Sequence, residues 1–284
     1  MYVRVIRAKL LTTQDGVGRK RRKNMSHYTV AVISRTGTEE EVAELLAPFD
    51  ENMEVEKYIY RTKEQIIEDG RKRHEEALER IKKFEKDELI ERLTSPSYDW
   101  YRQILTAQTP QDFYDIEVDT DMVDEEGNEY STYNPDSKWD WWDIGGRWRG
   151  SLRDYDGKYH DTLRISEWDY NYICPEAIER YSRLWEVAVE GAEPTEEEKI
   201  RLFYTPEYYL KKYGNKSNYI KAMMTFSTYA LLTPDGEWLE PGRMGWWGMS
   251  SADPVDEGKW ERDFTSLIDT FDKDMYITIV DCHI

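Results

Sequence analysis

The chain has little of what usually announces a function. Among 284 residues there are two cysteines, Cys174 and Cys282, and four histidines. Two thiols without a secretion signal are expected to be free in a reducing compartment, and a chain of this length needs no disulfide staples. No apolar run approaches the roughly 20 residues that span a bilayer, and the first 25 residues lack an apolar core followed by a small-residue cleavage site. We therefore expect a cytoplasmic protein without a membrane partner. There is no CxxC, no HExxH, no HxE with PCxxC, no GxxxxGK[ST] and no GxGxxG. We accordingly assign no metal and no cofactor. Asp119, Asp121 and Asp124 do not make a calcium loop, because the glycine and closing glutamate fall at the wrong places.

Net positive charge is also missing. The balance of 39 Lys and Arg against 58 Asp and Glu gives −19, which argues against a protein that coats a phosphate backbone by charge alone. Residues 1 to 24 are the exception, with eight bases and Asp15 as their acid, a local +7 that leaves −26 for the rest. Three readings of this segment stay open: a basic arm touching nucleic acid through RKRRK (19 to 23), an added strand in YVRVIRAKLL, or upstream sequence with the functional chain starting at Met25. Extended nucleic-acid binding is expected only through this segment.

From Met25 onward, alternating and apolar runs predict an α+β fold with an antiparallel or mixed sheet, a ferredoxin-like core being one arrangement, and helical insertions. We expect one domain over 25–284, carrying a charged helical insertion at about 63–93. HYTVAVI (27 to 33) and MYITIVDCHI (275 to 284) read as buried strands. Thr38 precedes EEE as a helix cap with Glu41 at the capping-box position, and FDENMEVEKYIY offers a second strand. Lys63–Leu93 reads as one long charged helix that Gly70 weakens, with His74 packed on its apolar side. Residues 111 to 130 hold nine acids and no base, as a solvated loop or hairpin would. Hairpins are predicted at Asp156-Gly157 and Pro234-Asp235-Gly236, and helices over Pro175–Val189, Glu196–Lys212 with an interruption at Pro206, and Trp260–Phe271.

Two constellations carry candidate chemistry. If the first and last strands are antiparallel neighbours, His27 lies beside His283. Alternation puts Ile277, Ile279, Asp281 and His283 on one face and Tyr276, Thr278, Val280 and Cys282 on the other. A carboxylate beside an imidazole fixes its tautomer and prepares a general base or a metal ligand, so His27, Asp281 and His283 are the candidate catalytic residues. The alternative is a strand end where polar residues meet solvent. A Cys282-His283 nucleophilic pair is disfavoured, because adjacent strand residues face opposite ways.

The second constellation is SKWDWWDIGGRWRG, residues 137 to 150, with four tryptophans, three glycines and three basic residues. Gly145 and Gly146 permit close backbone approach, Arg147 offers a rigid fork to phosphate or carboxylate, Lys138 adds charge, and Trp141 and Trp142 offer a stacking wall. Arg243, with Trp246 and Trp247, is a candidate facing wall. The competing reading is a tight turn whose tryptophans fill the core and whose Arg147 pairs with Asp140 or Asp143.

These motifs, with SHYTV at 26 to 30, APFDEN at 47 to 52, NPDSKWDWWDIGGRW at 134 to 148, GWWG at 245 to 248 and VDCH ending at His283, resemble a family of small phage and bacterial proteins. The resemblance covers most of the chain from Met25. It implies a phage-associated setting and a start at Met25, and it supplies no reaction. The expectation is a phage-associated protein, in the cytoplasm of an infected bacterium, that binds a small anionic or nucleotide-like ligand, with histidine-assisted hydrolysis as its chemistry if it is an enzyme. The alternative is a noncatalytic acidic module that docks on a host protein.

Overall fold

The β-branched run His27–Ser34 forms the middle of the sheet, and every residue after His27 in it is buried. The computed structural model describes residues 27–199, 204–245 and 249–284 of this α+β protein. The basic segment 1–24, Met25, Ser26, Trp246, Trp247 and Gly248 lie outside the described residues, and so do the expectations placed on them. The chain divides into two compact units: residues up to Met53 together with Pro135–Ile284, and Glu54–Asn134.

The first unit holds a six-stranded sheet in the order Trp141–Ile144, Tyr276–His283, His27–Ser34, Ala230–Leu232, Trp238–Leu239, with Thr162–Arg164 also pairing to the last strand. The outer strands pair antiparallel, while His27–Ser34 and Ala230–Leu232 run parallel as neighbours. The sheet is therefore mixed, and the ferredoxin-like arrangement, which needs antiparallel neighbours, is corrected by that one pair. The two hairpins turn where expected, with Gly157 and Gly236 at φ 82° and 85°.

Strand alternation divides the core. Tyr28, Val30, Val32, Val280 and Cys282 pack on one face with Val42 and Leu46 of the Glu39–Leu46 helix and with Trp139. Ala31, Ile33, Ile277 and Ile279 pack on the other with Phe264 and Ile268 of the Pro254–Ile268 helix and with Trp168. Each fully buried side chain of this kind contributes about 1.5–3 kcal/mol. Thr38 caps the first helix by accepting from the Glu41 backbone N–H, but the Glu41 carboxylate reaches back to the amides of Arg35 and Thr36 instead of closing the box. Helices Pro175–Ala188, Pro206–Tyr213 and Lys216–Met224 share an aromatic cluster that includes Tyr181, Trp185, Tyr209 and Tyr219. Pro206 starts a helix here, where its missing N–H costs nothing. No helix among the described residues is long and apolar enough to cross a membrane.

The second unit pairs strands Glu54–Arg61 and Glu129–Tyr133 beside four helices, so it is longer than the 63–93 stretch expected from charge. The predicted single helix is two, Lys63–Ile81 and Lys86–Thr94. The break lets Phe84 fold onto Ala77, Tyr101 and Ile104, burial that an unbroken exposed helix would forgo. His74 is packed as expected: its Nδ1 lies 2.7 Å from the Ile104 carbonyl and its ring contacts Phe113. Asp124 organises the acidic turn by accepting backbone N–H groups from Glu126 and Asn128.

Gly70 is a contact residue in this unit. A Cβ there would stand 2.0 Å from the Phe113 carbonyl oxygen, so bare glycine lets the Pro110–Asp115 helix lie against Lys63–Ile81. Gly70→Ala is expected to destabilise this unit by about 1–3 kcal/mol despite alanine's better helix propensity. Amide hydrogen exchange across residues 63–81 should show the lost protection; unchanged or increased protection would contradict this packing.

Candidate functional site

The register between the first and last strands sets His27 directly opposite His283, Thr29 opposite Asp281, and, across the next pair, Trp141 opposite His283 and Asp143 opposite Asp281. Directly opposed residues project from the same face, so a polar group forms where the apolar face of Ala31, Ile33, Ile277 and Ile279 ends. The two imidazole centroids are 5.0 Å apart at 67°.

Each ring is held by its own carboxylate. His27 Nδ1 lies 2.7 Å from Asp281 Oδ1, and His283 Nδ1 lies 2.5 Å from Asp140 Oδ1. A carboxylate accepts and does not donate, so Nδ1 carries the proton in both rings and the neutral form has its lone pair on Nε2. Neither Nε2 has a hydrogen-bond partner among the described residues. The two dyads differ in exposure: the side chains of His27 and Asp281 are 8% and 2% exposed, those of His283 and Asp140 14% and 32%.

Asp281 has a second partner. Its Oδ2 accepts the Arg147 backbone N–H at 2.9 Å, so both carboxylate oxygens are engaged. This contact explains the two glycines. Gly145 (φ 71°) and Gly146 (φ 42°) turn the chain through the left-handed region, and a Cβ would stand 2.5 Å from the Asp161 carboxyl carbon at the first and 2.4 Å from the Asp281 Cβ at the second. The close approach they allow is therefore to the protein's own carboxylates. The Asp161 carboxylate in turn accepts the Gly150 N–H at 2.5 Å.

The Arg147 side chain is exposed, with no hydrogen bond or ion pair among the described residues, and its charge acts on His27. Arg149, by contrast, lies 3.6 Å from Asp161 and 4.0 Å from Asp143. The tryptophans separate. Trp139 is buried and donates its indole N–H to the Leu46 carbonyl at 3.1 Å, while Trp142 and Trp148 pack against opposite core clusters. Trp141 is 50% exposed and meets the His27 ring edge-on at 5.9 Å.

The structure thus gathers His27, Asp281, His283, Trp141, Gly145, Gly146 and Arg147 from the expected residues. Trp142 belongs to the other face of the sheet, opposite Cys282 in register. Lys138 is bound to Glu240 at 2.7 Å and has no contact with the dyads. Arg243 precedes the Met244–Gly245 strand, its backbone N–H bonded to Ser251 Oγ at 2.9 Å, and it has no contact with the dyads either. Cys282 is fully buried on the far face, where burial holds its thiol well above the ordinary range and makes it a poor nucleophile. Asp140 and Asp161 were missed as site residues. Asp140 sits at a bend just before the Trp141–Ile144 strand, its N–H bonded to the His283 carbonyl at 2.9 Å, so alternation gave no signal for it. Among the described residues no group of three or more His, Cys, Asp and Glu side chains is arranged to hold a metal ion.

Burial lowers the His27 pKa, outweighing the hydrogen bond and charge of Asp281, which raise it; the charges of Arg147 and His283 act with burial. His27 is therefore held in its neutral, proton-accepting form at neutral pH. No protein-family model, curated protein or solved structure matches this chain.

Two outcomes follow from this geometry. Gly146→Ala is expected to cost about 2 kcal/mol or more in denaturant unfolding, since it combines left-handed backbone with a clash on Asp281. Because the folded His27 value is depressed, the unfolded chain binds the proton more readily; its contribution is full above the ordinary 6.5 and lost as pH falls below it. Wild type should therefore lose more stability between pH 7 and 5.5 than His27→Gln. Equal pH slopes would show that His27 is not held neutral.

Proposed function

We propose that this protein binds a small anionic, nucleotide-like ligand at the paired dyads and promotes its hydrolysis or transfer by histidine acid–base catalysis. The observation that carries the reading is the pair of adjacent imidazoles, each oriented through Nδ1 by a separate carboxylate and each with an Nε2 that no described residue engages. One oriented imidazole beside a carboxylate is common at a strand end. Two, from the first and last strands of one sheet, form the arrangement needed to take a proton from one reacting atom and give one to another.

Arg147 supports the anionic half of the reading. An exposed guanidinium without a carboxylate partner among the described residues, on a loop whose own N–H groups already fix the site's carboxylates, is available to a ligand. His27 is the base, Asp281 its positioning partner, His283 the acid when protonated, and Arg147 the anion contact. Lys138 and Arg243 leave this assignment, since neither touches the dyads. The phage-associated, cytoplasmic setting is proposed on the motif resemblance alone.

The test is native mass spectrometry of the gently purified full chain, followed by denaturation to identify released small molecules, with calorimetric titration of inorganic phosphate into the emptied protein. A stoichiometric anion, or phosphate binding, that falls at least about 10-fold in a folded Arg147→Ala variant is expected, one charge-assisted contact being worth 1.5–3 kcal/mol. An empty protein that also fails to bind phosphate would overturn the reading and favour an acidic module that docks on a host protein.

A further inference from the structure

The charges around the dyads bear on which anion they accept. Asp140, Asp143, Asp161 and Asp281 all lie within the same group of contacts, and Arg149 is taken up by two of them. Arg147 is the nearby cation whose side chain none of them engages among the described residues. A triphosphate or diphosphate would bring three or four negative charges beside several carboxylates, with one guanidinium to meet them. A phosphodiester carries a single negative charge, and one guanidinium answers it bidentately.

The dyads fit the same class of substrate. Cleaving a diester needs a proton removed from the attacking oxygen and one delivered to an alkoxide-like leaving oxygen, which a neutral and a protonated imidazole supply together. The half-exposed Trp141 indole, edge-on to His27 and opposite His283 in register, is an apolar platform next to the reacting position, and a nucleobase stacks on such a surface.

Resting on the acid–base reading of this site, we infer that its substrate is a nucleoside phosphodiester, a monoanion that Arg147 binds and whose base lies on Trp141, and that nucleoside polyphosphates are excluded by the surrounding carboxylates. In the hydrolytic step water attacks phosphorus and gives a proton to His27 Nε2. The bond from phosphorus to the leaving oxygen breaks, and that oxygen takes the proton from His283 Nε2. The products are a phosphomonoester and an alcohol, with His27 left protonated and His283 neutral. Proton exchange with solvent restores both rings.

The experiment offers the full chain a dinucleoside monophosphate, a 2′,3′-cyclic nucleotide, a dialkyl phosphate without a base, and a nucleoside triphosphate, following phosphate-ester cleavage by phosphorus NMR. The two base-bearing diesters should be cleaved and the triphosphate at least about 100-fold more slowly. Trp141→Ala should raise KM for the base-bearing diesters by about 5–150-fold, the 1–3 kcal/mol of one base–aromatic stack, and leave the dialkyl phosphate unchanged. His27→Gln and His283→Gln should each lower kcat by about 100-fold or more. Preferred cleavage of the triphosphate, or a Trp141→Ala effect equal on all diesters, would overturn the substrate assignment while leaving the acid–base site standing. Failure to cleave any of them, or activity unaffected in both histidine variants, would overturn the site itself.

Discussion

Asp281 is the residue on which the site depends. Its carboxylate is all but buried at the end of the last strand, where an unpaired charge would be costly, and it is satisfied on both oxygens: His27 Nδ1 from the neighbouring strand and the Arg147 N–H from the glycine turn. A single side chain thus ties three separate stretches of sequence together. Removing it would leave an imidazole without its tautomer-fixing partner and the Arg147 backbone N–H without its acceptor. The apolar alternation that buries Ile277 and Ile279 brings Asp281 and His283 to the same face, so the core and the site are set by one strand.

The two dyads share a logic and differ in environment. The His27–Asp281 pair is the drier one and is pushed toward the neutral imidazole, while the His283–Asp140 pair opens further to solvent. Placing two imidazoles side by side itself disfavours charging both, which suits a division into base and acid. The tryptophan-rich motif serves several ends at once. Trp139, Trp142 and Trp148 pack against the core, while Gly145, Gly146 and the Arg147 N–H lie against Asp161 and Asp281. Trp141 is left facing outward beside His27.

Much of this was legible in the sequence because it rests on period-two alternation. HYTVAVI and YITIVDCH each bury apolar residues on both faces and bring a histidine to the end, and pairing them antiparallel sets His27 against His283. What alternation does not reach was not legible. Asp140 acts from a bend outside the strand, the Lys138 partner Glu240 is 102 residues away, and Gly145 and Gly146 serve carboxylates whose approach only the folded turn reveals. The break after Ile81 likewise depends on where Phe84 can be buried, not on any local breaker.

The most direct test of the paired-dyad account is long-range proton–nitrogen NMR of the full chain labelled with nitrogen-15 at histidine, recorded near pH 7.5 without and with inorganic phosphate. His27 and His283 are both expected to carry the proton on Nδ1, and both Nε2 resonances to move when phosphate binds. An Nε2–H tautomer at either ring, or phosphate binding that leaves both Nε2 signals in place, would contradict it.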